Sequence, residues 1–600
     1  MTTHEEGREY DIIFAGGGTA ACVAAGRLAH ADPGLSILLV EVGRNNFNDP
    51  TIVNPALYLS HLAPGSKTAL FYQANEEKAI NSRAAVVPAG GVLGGGSSIN
   101  FMMYTRGNLL PFAKKLETYH LDDPAVDKAL HGYDGPVNVS LGTYSQRGPQ
   151  DDILAAAEAL GIEEIVDLQD FKAANGFSRW LRYIGPDGKR QDAAHRYIHP
   201  LLVSGKYPNL HLLLESKVSR VLFDGRRATG IEYVPSAATP PDAGLSKVSP
   251  SVIRAKKLVV VSAGALGTPS ILERSGVGRA ELLEKLGIDL VADLPGVGDE
   301  YQDHNLVLLP FKTTLEPNET LDGLLSGRLD FAEAAAEGNP ILGWNGIDIG
   351  AKLRPSDEEV ARMGPDFQKL WDRDFKHQTT KPMMLVGILS SYLGDHKLLV
   401  PREDGGTQYA TIGAYTAYPY SRGNIHIVSK DPHAPASFNT GYLDHPADLE
   451  KQLWAYKKLR ELYRRTNAYA GELSPGHPKF RPGSKAALAG EHPPKAGYAT
   501  VEERRALAPI EYDAEDDAAI EDWIRSNVNS TWHSLGTCKM APKDRGGVVD
   551  ESLNVHGTQQ LKLVDLSIVP ENVAANTYNT ALIVGEKAAD IIGKELGLSV

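Results

Sequence analysis

Cysteine is scarce in this chain of 600 residues, which contains only Cys22 and Cys538. Two thiols are too few for a disulfide framework or a metal cluster, so no metal site is expected and a reducing compartment is favoured. The N-terminus lacks the basic and apolar stretches of a secretory signal, and the C-terminus lacks a Ser-Lys-Leu-type peroxisomal address. These absences predict an intracellular protein, either cytoplasmic or peroxisomal.

Long apolar runs and an excess of positive charge are also absent. No apolar run approaches the ~20 residues of a membrane span. The chain carries 61 basic and 75 acidic side chains, a net charge of −14, which argues against nucleic acid or an anionic membrane as a partner. Its length exceeds a single hydrophobic core, so two or more folding units are expected. Assembly into a homo-oligomer stays open.

The N-terminal region has the alternation of a βαβ unit. Apolar residues predict a strand over 10–15 and a second strand over 35–41, and a helix over 19–31 connects them. Because such a crossover joins parallel strands, we expect a parallel sheet here.

The turn after the first strand carries a dinucleotide fingerprint, Gly16-x-Gly18-x-x-Ala21. Its glycines let the backbone approach a pyrophosphate, and the helix N-terminus supplies free N–H groups and a positive dipole. Glu41, at the end of the second strand, suits two ribose hydroxyls and disfavours a 2′-phosphate. The pattern therefore predicts FAD or NAD rather than NADP, with a glycine-rich turn without ligand as the alternative.

The predicted secondary structure and the composition of the rest of the chain change twice. Short strands recur over 209–263, whereas residues 311–525 are richer in charged helices and long polar loops. Within that region, alternation predicts a half-buried strand over 423–429 and an amphipathic helix over 447–465. The final part returns to strand and turn and ends in a helix over 580–596.

This order predicts a nucleotide-binding domain that the chain enters three times, with a substrate domain inserted between. The predicted nucleotide-binding domain comprises residues 1–155, 206–310 and 526–600, and the substrate domain comprises 156–205 and 311–525.

Two segments near the C-terminus place a base and a neutral hydrogen-bond donor around a predicted strand. His533 lies in the segment 531–538, Asn576 opens the next turn, and Asp565 ends the strand between them. Histidine can take a hydroxyl proton near neutral pH, and an amide can hold a developing alkoxide. The pair suggests oxidation of an alcohol on a flavin. The alternatives are a structural histidine and a helix-capping asparagine.

Several segments match signatures of one enzyme family. They are residues 93–100 (LGGGSSIN), 264–278, 295–298, 302–304 (QDH) and 421–423 (SRG). With them the chain resembles the GMC (glucose–methanol–choline) flavin oxidoreductases over nearly its whole length. The resemblance implies an α/β fold with a Rossmann-like FAD-binding domain of the glucose oxidase type and an inserted α+β substrate domain built on an antiparallel sheet.

Within this family the chain is most similar to the fungal alcohol (methanol) oxidases, in residues 96–106, 531–538 and 576–578. Many other family members carry a second histidine where Asn576 stands. The alcohol oxidase and choline oxidase branches carry asparagine there, as this chain does. The resemblance implies FAD as cofactor and a small alcohol and O₂ as substrates. A short-chain primary alcohol would become the aldehyde by hydride transfer to flavin N5, and O₂ would become H₂O₂.

The resemblance also implies the residues of the site. His533 would be the catalytic base and Asn576 its partner, while Phe101 and Trp532 would line the substrate pocket. The expected cofactor contacts are Gly16, Gly18, Thr19, Ala20, Glu41, Gly95, Ser97, Asn100, Met102, Val218, Asp565 and Thr577. Phe101 and Trp532 could instead be core aromatics and Asp565 a turn residue, and His304 is expected to be structural.

The chain also departs from its relatives. Gly91 stands where the first signature has Arg, Lys, Asn or Cys. After Arg106 a family segment that helps to cover the flavin is absent, and residues 107–111 run straight into a helix. Three other functions stay open: a dehydrogenase with a quinone acceptor, a hydroxynitrile lyase that keeps the flavin without redox turnover, and a flavin-bearing protein that the missing segment leaves without turnover.

Overall fold

The structure of the chain is a computed structural model that describes residue 4 and residues 7–106, 109–236, 250–399, 406–489 and 497–600. Its strands are β1 Tyr10–Ala15, β2 Ile37–Val40, β3 Ala69–Glu77, β4 Arg83–Gly90, β5 Glu117–Tyr119, β6 Val137–Val139, β7 Gly176–Arg179, β8 Leu210–Leu213, β9 Ser216–Asp224, β10 Arg227–Pro235, β11 Ser251–Val261, β12 Val277–Gly278, β13 Ala292–Asp293, β14 Asn305–Thr313, β15 Ile347–Leu353, β16 Met384–Leu389, β17 Gln408–Thr416, β18 Asn424–His426, β19 Ser437–Asn439, β20 Tyr469–Glu472, β21 Asn529–Ser530 and β22 Leu561–Leu563. Its α-helices are α1 Thr19–Ala31, α2 Pro50–Val53, α3 Leu110–Leu116, α4 Arg147–Ala159, α5 His199–Ser204, α6 Gly264–Arg274, α7 Ala280–Lys285, α8 Asp322–Leu325, α9 Phe331–Ala336, α10 Asp357–Arg362, α11 Pro365–Asp374, α12 Pro446–Arg464, α13 Val501–Arg505, α14 Ala514–Asn527 and α15 Tyr578–Glu595.

A parallel sheet in the order β8-β2-β1-β11-β22 forms the centre of the first layer. Its strands are buried on both faces, as their continuous apolar sequences require. The bounds of β1 and α1 are those predicted from the sequence. α1 packs beside the C-terminal helix α15, where Arg27 pairs with the buried Glu586 at 2.7 Å.

Strand β11 pairs in parallel over one half of its length and antiparallel over the other. Its C-terminal half, from Leu258 to Val261, pairs in parallel with β1, whereas its N-terminal half pairs antiparallel with β10, which continues to β9. β11 is therefore a strand of 11 residues, of which only the C-terminal end is continuously apolar.

The second large sheet is antiparallel, in the order β20-β14-β17-β16-β15-β7, with β21 beside β14. One face, with Val307, Val386 and Ile412, packs into a hydrophobic core. The opposite face carries Leu306 and Tyr415. This sheet confirms the predicted fold class. β14 crosses the predicted boundary at residue 310, and the division into two domains stays a prediction.

Two local predictions concern the strand over 423–429 and the segment after Arg106. Of the predicted strand 423–429, Asn424–His426 forms a strand and Gly423 forms a single bridge to Tyr301, whereas Val428 is 52% exposed. Residues 107 and 108, in the departure after Arg106, lie outside the described residues, and α3 begins at Leu110. Among the described helices, none is long and apolar enough to cross a membrane.

Candidate active site

One cavity of about 660 Å³ collects the predicted site residues. It lies at the carboxyl ends of the parallel strands, where Ala15, Val40 and Ser262 line it, and it extends to the antiparallel sheet at Tyr415. Ligands of open parallel sheets bind at this edge. All of the predicted residues line the cavity, namely Gly16, Gly18, Thr19, Ala20, Glu41, Gly95, Ser97, Asn100, Phe101, Met102, Val218, Trp532, His533, Asp565, Asn576 and Thr577.

Two glycine turns meet at one end of the cavity. Gly16 has a φ of +114°, and a Cβ there would lie 2.2 Å from the carbonyl oxygen of Ser262. Gly95, in the second turn, would bring a Cβ within 2.9 Å of the Cα of Gly18. Thr19 joins the turns because its Oγ1 donates to the carbonyl of Gly94 over 3.1 Å. Only glycine permits this approach, and the first residues of α1, Thr19 and Ala20, line the cavity there.

The carboxylate of Glu41 lies beside the first glycine turn. It accepts hydrogen bonds from the backbone N–H groups of Gly17 at 2.8 Å and Gly43 at 2.9 Å. Burial raises its pKa to about 7 despite these bonds. Further hydroxyl donors from a ligand would favour the charged form.

Asp565 fixes the start of α6 against the cavity. Its Oδ2 accepts from the Gly264 N–H at 2.9 Å and the Thr268 hydroxyl at 2.6 Å, and its Oδ1 accepts from the Ser567 N–H at 2.8 Å. Burial raises the pKa of this carboxyl. Asp565 therefore holds two turns together at the cavity wall.

Asn100 and Met102 shape the wall where the second glycine turn leaves the cavity. The Asn100 Oδ1 accepts from the buried Arg190 Nη1 at 2.8 Å and from the Met102 N–H at 3.0 Å. Met102 has a φ of +58°, which an L-residue rarely adopts. Close-approach glycines, an acid directly after β2 and a cavity that extends from these turns to the antiparallel sheet together fit FAD.

His533 and Asn576 face each other at the other end of the cavity. The His533 Nε2 lies 3.3 Å from the Asn576 Nδ2. The Asn576 Oδ1 accepts from the Tyr415 hydroxyl at 3.0 Å, and the Asn576 N–H donates to the Thr105 Oγ1 over 2.6 Å. The bond from Tyr415 orients the amide with its nitrogen toward the histidine, while the backbone bond to Thr105 holds the turn.

The opposite edge of the His533 ring contacts a second histidine. The two Nδ1 atoms of His533 and His304 lie 2.9 Å apart, and the His304 Nε2 lies 3.0 Å from the carbonyl oxygen of Val573. Burial lowers the pKa of His304 to about 4. Burial first, and His304 second, lower the pKa of His533 well below its usual range. Both rings are therefore neutral near pH 7.

A strained turn aims His533 into the cavity. Trp532 has a φ of +62°, in the left-handed region that a bulky residue rarely adopts. The buried carboxylate of Asp303 holds this turn, since it accepts from the His533 N–H at 3.1 Å and from the Ser530 hydroxyl at 2.6 Å. The Ser530 Oγ in turn accepts from the Trp532 N–H at 2.7 Å.

Apolar side chains enclose the space beside the histidine. The rings of Phe101 and Trp532 are both half-buried, with centroids 4.8 Å apart. Phe101 also rests on Tyr58, with centroids 4.3 Å apart. Further lining comes from leucines of the antiparallel sheet, Leu306, Leu308 and Leu389.

Sequence reasoning missed four residues at this end: Thr105, Asp303, His304 and Tyr415. His304 was expected to be structural, yet it contacts the predicted base directly. Its QDH segment was a signal that could have located it. Tyr415 had no such signal, because β17 brings it to Asn576 from 161 residues away.

Comparisons with known proteins identify the family of this chain. Residues 10–306 and 419–585 match two family models, both described as GMC oxidoreductase. The chain is 38% identical to an alcohol oxidase of Candida boidinii over 652 aligned positions, which cover 98% of this chain and 96% of that protein. It is 37% identical to an alcohol oxidase of Pichia angusta, with the same two coverages.

A solved structure supports the fold. The formate oxidase of Aspergillus oryzae superposes with a TM-score of 0.80 over 99% of each chain, at 20% sequence identity. The family resemblance seen in the signatures is therefore confirmed along the chain: it belongs to the GMC oxidoreductases and is an FAD enzyme.

Proposed function

We propose that this enzyme oxidises short-chain primary alcohols to aldehydes and reduces O₂ to H₂O₂. The overall reaction is RCH₂OH + O₂ → RCHO + H₂O₂. Relatives named alcohol oxidase, aligned over nearly the whole chain, support the reaction class. The observation that carries the proposal is the pairing of His533 Nε2 with Asn576 Nδ2 at 3.3 Å, on the cavity that the FAD fingerprint also lines.

The cofactor would lie along the predicted contacts. The glycine turn at Gly16 and Gly18 would receive the pyrophosphate, Glu41 the ribose, and Val218 the adenine. Asp565 would flank the ribityl chain. When bound, FAD supplies the hydride acceptor at N5.

His533 would take the hydroxyl proton of the alcohol at Nε2. Its depressed pKa keeps the ring in the basic form across the neutral range, because burial disfavours the imidazolium. Asn576 would donate from Nδ2 to the same oxygen and hold it as charge develops. Tyr415 keeps that nitrogen directed inward by donating to the amide oxygen.

The proton that His533 receives would also serve the second half of the reaction. The imidazolium places positive charge on the cavity wall, and this charge favours the negative charge that O₂ gains with its first electron. Asn576 carries no charge and therefore would not stabilise that negative charge in the same way.

The size of the alcohol would be limited by the aromatic wall. Phe101 and Trp532 lie beside His533, and their contact at 4.8 Å leaves little room between them. A pocket wall of this kind discriminates by about 1–3 kcal/mol per added or missing group. We propose methanol, ethanol and similar alcohols as substrates.

Oxygen uptake tests the proposal. The purified enzyme would receive primary alcohols from methanol to 1-octanol in an oxygen electrode, with catalase added later to return half of the consumed O₂. We expect uptake with the short alcohols and aldehyde in equal amount. Turnover only with a quinone would indicate a dehydrogenase. A flavin spectrum unchanged by anaerobic ethanol would instead indicate a lyase or a protein without turnover.

A further inference from the structure

We propose that His304 is a positioning residue that fixes the tautomer of His533, so that the lone pair of Nε2 always faces the substrate. The proposal rests on the proposed function of His533 as base. It adds that the base is defined by a chain of hydrogen bonds that begins at the backbone carbonyl of Val573.

The chain of hydrogen bonds starts with a contact in which only one of the two partners can be the donor. The His304 Nε2 lies 3.0 Å from the Val573 carbonyl oxygen, which can only accept. The His304 Nε2 therefore carries a proton and donates it.

His304 has no second proton to give. Its ring is fully buried, and its polar neighbours are neutral: the carbonyls of Val573 and Ala417 and the side chain of Asn572. Among the described residues no carboxylate forms an ion pair with it. A neutral imidazole carries one proton, so the His304 Nδ1 holds a lone pair and accepts.

The next contact transfers this constraint to His533. Its Nδ1 lies 2.9 Å from the Nδ1 of His304, and two lone pairs cannot face each other at that distance. The His533 Nδ1 therefore carries the proton. Because His533 is also neutral, its Nε2 is the unprotonated nitrogen.

The hydrogen bonds at Asn576 fit the same tautomer of His533. The Tyr415 hydroxyl donates to the Asn576 Oδ1, which turns the Asn576 Nδ2 toward the His533 Nε2 at 3.3 Å. A donor thus meets a lone pair. The other tautomer of His533 would place two lone pairs against each other at His304, and, with the amide in this orientation, two donors against each other at Asn576.

The arrangement also serves the protonated base. When the hydroxyl proton arrives at the His533 Nε2, the Nδ1 proton stays in its bond to His304, and no proton has to move elsewhere. His304 orients and supports the base without contact to the alcohol.

Two substitutions separate positioning from packing. His304→Asn retains an oxygen that can accept from the His533 Nδ1–H, whereas His304→Leu fills similar space without an acceptor. We expect His304→Leu to lower the limiting rate of anaerobic flavin reduction by ethanol on the order of 10²-fold, with the apparent alcohol affinity little changed. His304→Asn should recover most of that loss. Flavin content and Tm report whether each variant folds.

The decisive readout needs no turnover. In the ¹⁵N-histidine-labelled holoenzyme, ring nitrogen shifts identify which nitrogen carries the proton, and loss of signals in His533→Gln assigns His533. We expect Nδ1–H in the wild type and in His304→Asn, and a mixture of tautomers in His304→Leu. An Nε2–H tautomer in the wild type, or equal rates for the Leu and Asn variants, would overturn the proposal. If His304→Leu does not fold, the wild-type spectrum decides. A wild type that shows Nδ1–H but oxidises no alcohol would refute the proposed function alone.

Discussion

The rings of Phe101 and Trp532 meet with their centroids 4.8 Å apart and 39° between their planes, on the cavity that His533 also lines. The two residues come from distant parts of the sequence and from two strained turns, with positive φ at Met102 and Trp532. Their contact closes the apolar side of the cavity.

Phe101→Ser should widen the range of alcohols. Removal of the ring opens space beside His533 and adds a hydroxyl, so kcat/KM should shift toward longer or more polar alcohols by about 1–3 kcal/mol. The measurement is kcat/KM across a series from methanol to 1-hexanol and diols.

Phe47→Ser is the matched control for this variant. It makes the same change at a ring that is 46% exposed and does not line the cavity. The control should leave the ranking of alcohols unchanged. An equal loss on all alcohols in Phe101→Ser would place Phe101 in the structural core instead.

Glu41→Arg should weaken retention of FAD by at least about tenfold. The change removes the ribose acceptor, adds bulk, and leaves the N–H groups of Gly17 and Gly43 without their carboxylate. Glu41→Gln keeps one acceptor oxygen and should fall between wild type and Glu41→Arg. Flavin retained after gel filtration, read near 450 nm, gives the order, and unchanged retention in Glu41→Arg would refute the assigned role.

Acid should destabilise the protein through buried neutral histidines. Burial lowers the pKa of His199, His304 and His477 to about 4 each. Between pH 6.5 and 4 the unfolded chain therefore binds more protons than the folded chain, so stability rises with pH in this window. The raised pKa of Glu41 opposes this trend in part, when no ligand is bound. Each histidine contributes roughly 1–3 kcal/mol that is lost as pH falls toward 4.

His477→Gln isolates one of these contributions away from the active site. His477 lies 2.8 Å from the Pro310 carbonyl through Nε2 and 3.2 Å from the Tyr456 hydroxyl through Nδ1. The fall in Tm from pH 7 to pH 5 should be smaller in this variant than in the wild type. His377→Gln, at an exposed position, should leave the fall unchanged. A fall of wild-type size in His477→Gln would contradict the explanation.

The sequence predicted those parts of the fold that depend on neighbours in the chain. The strand, glycine turn and helix from residue 10 to 31 follow from local periodicity, and the helix bounds agree with the structure. Glu41 could be placed because it directly follows β2, which is Ile37–Val40 rather than the predicted 35–41. The strand predicted over 423–429 is shorter than expected, since alternation does not reveal where its partner β19 ends.

The site was predicted less fully, because part of it is assembled over long distances. Family signatures located His533 and Asn576, and the structure places both on the cavity. His304 reaches His533 from 229 residues away, and its role depends on which ring nitrogen faces which partner. No sequence pattern encodes that geometry.

Asn576→Ala should slow the reductive half-reaction more than the oxidative one. The substitution removes the donor that holds the alcohol oxygen, but it removes no charge that would assist O₂. Stopped-flow absorbance separates anaerobic reduction from reoxidation by O₂. Tyr415→Phe, which only releases the amide from its orienting bond, should show a smaller loss in reduction. Equal slowing of both half-reactions in Asn576→Ala would contradict the assigned role.

His533→Ala tests the central claim, that His533 takes the hydroxyl proton. Loss of a general base should slow anaerobic flavin reduction by ethanol at least about 10²-fold, and loss of the imidazolium should also slow reoxidation by O₂. The measurement is stopped-flow absorbance near 450 nm on variant enzyme with its FAD bound, beside His477→Gln as a control for removal of a buried histidine. Reduction at a nearly normal rate in His533→Ala, with full flavin content, would contradict the account.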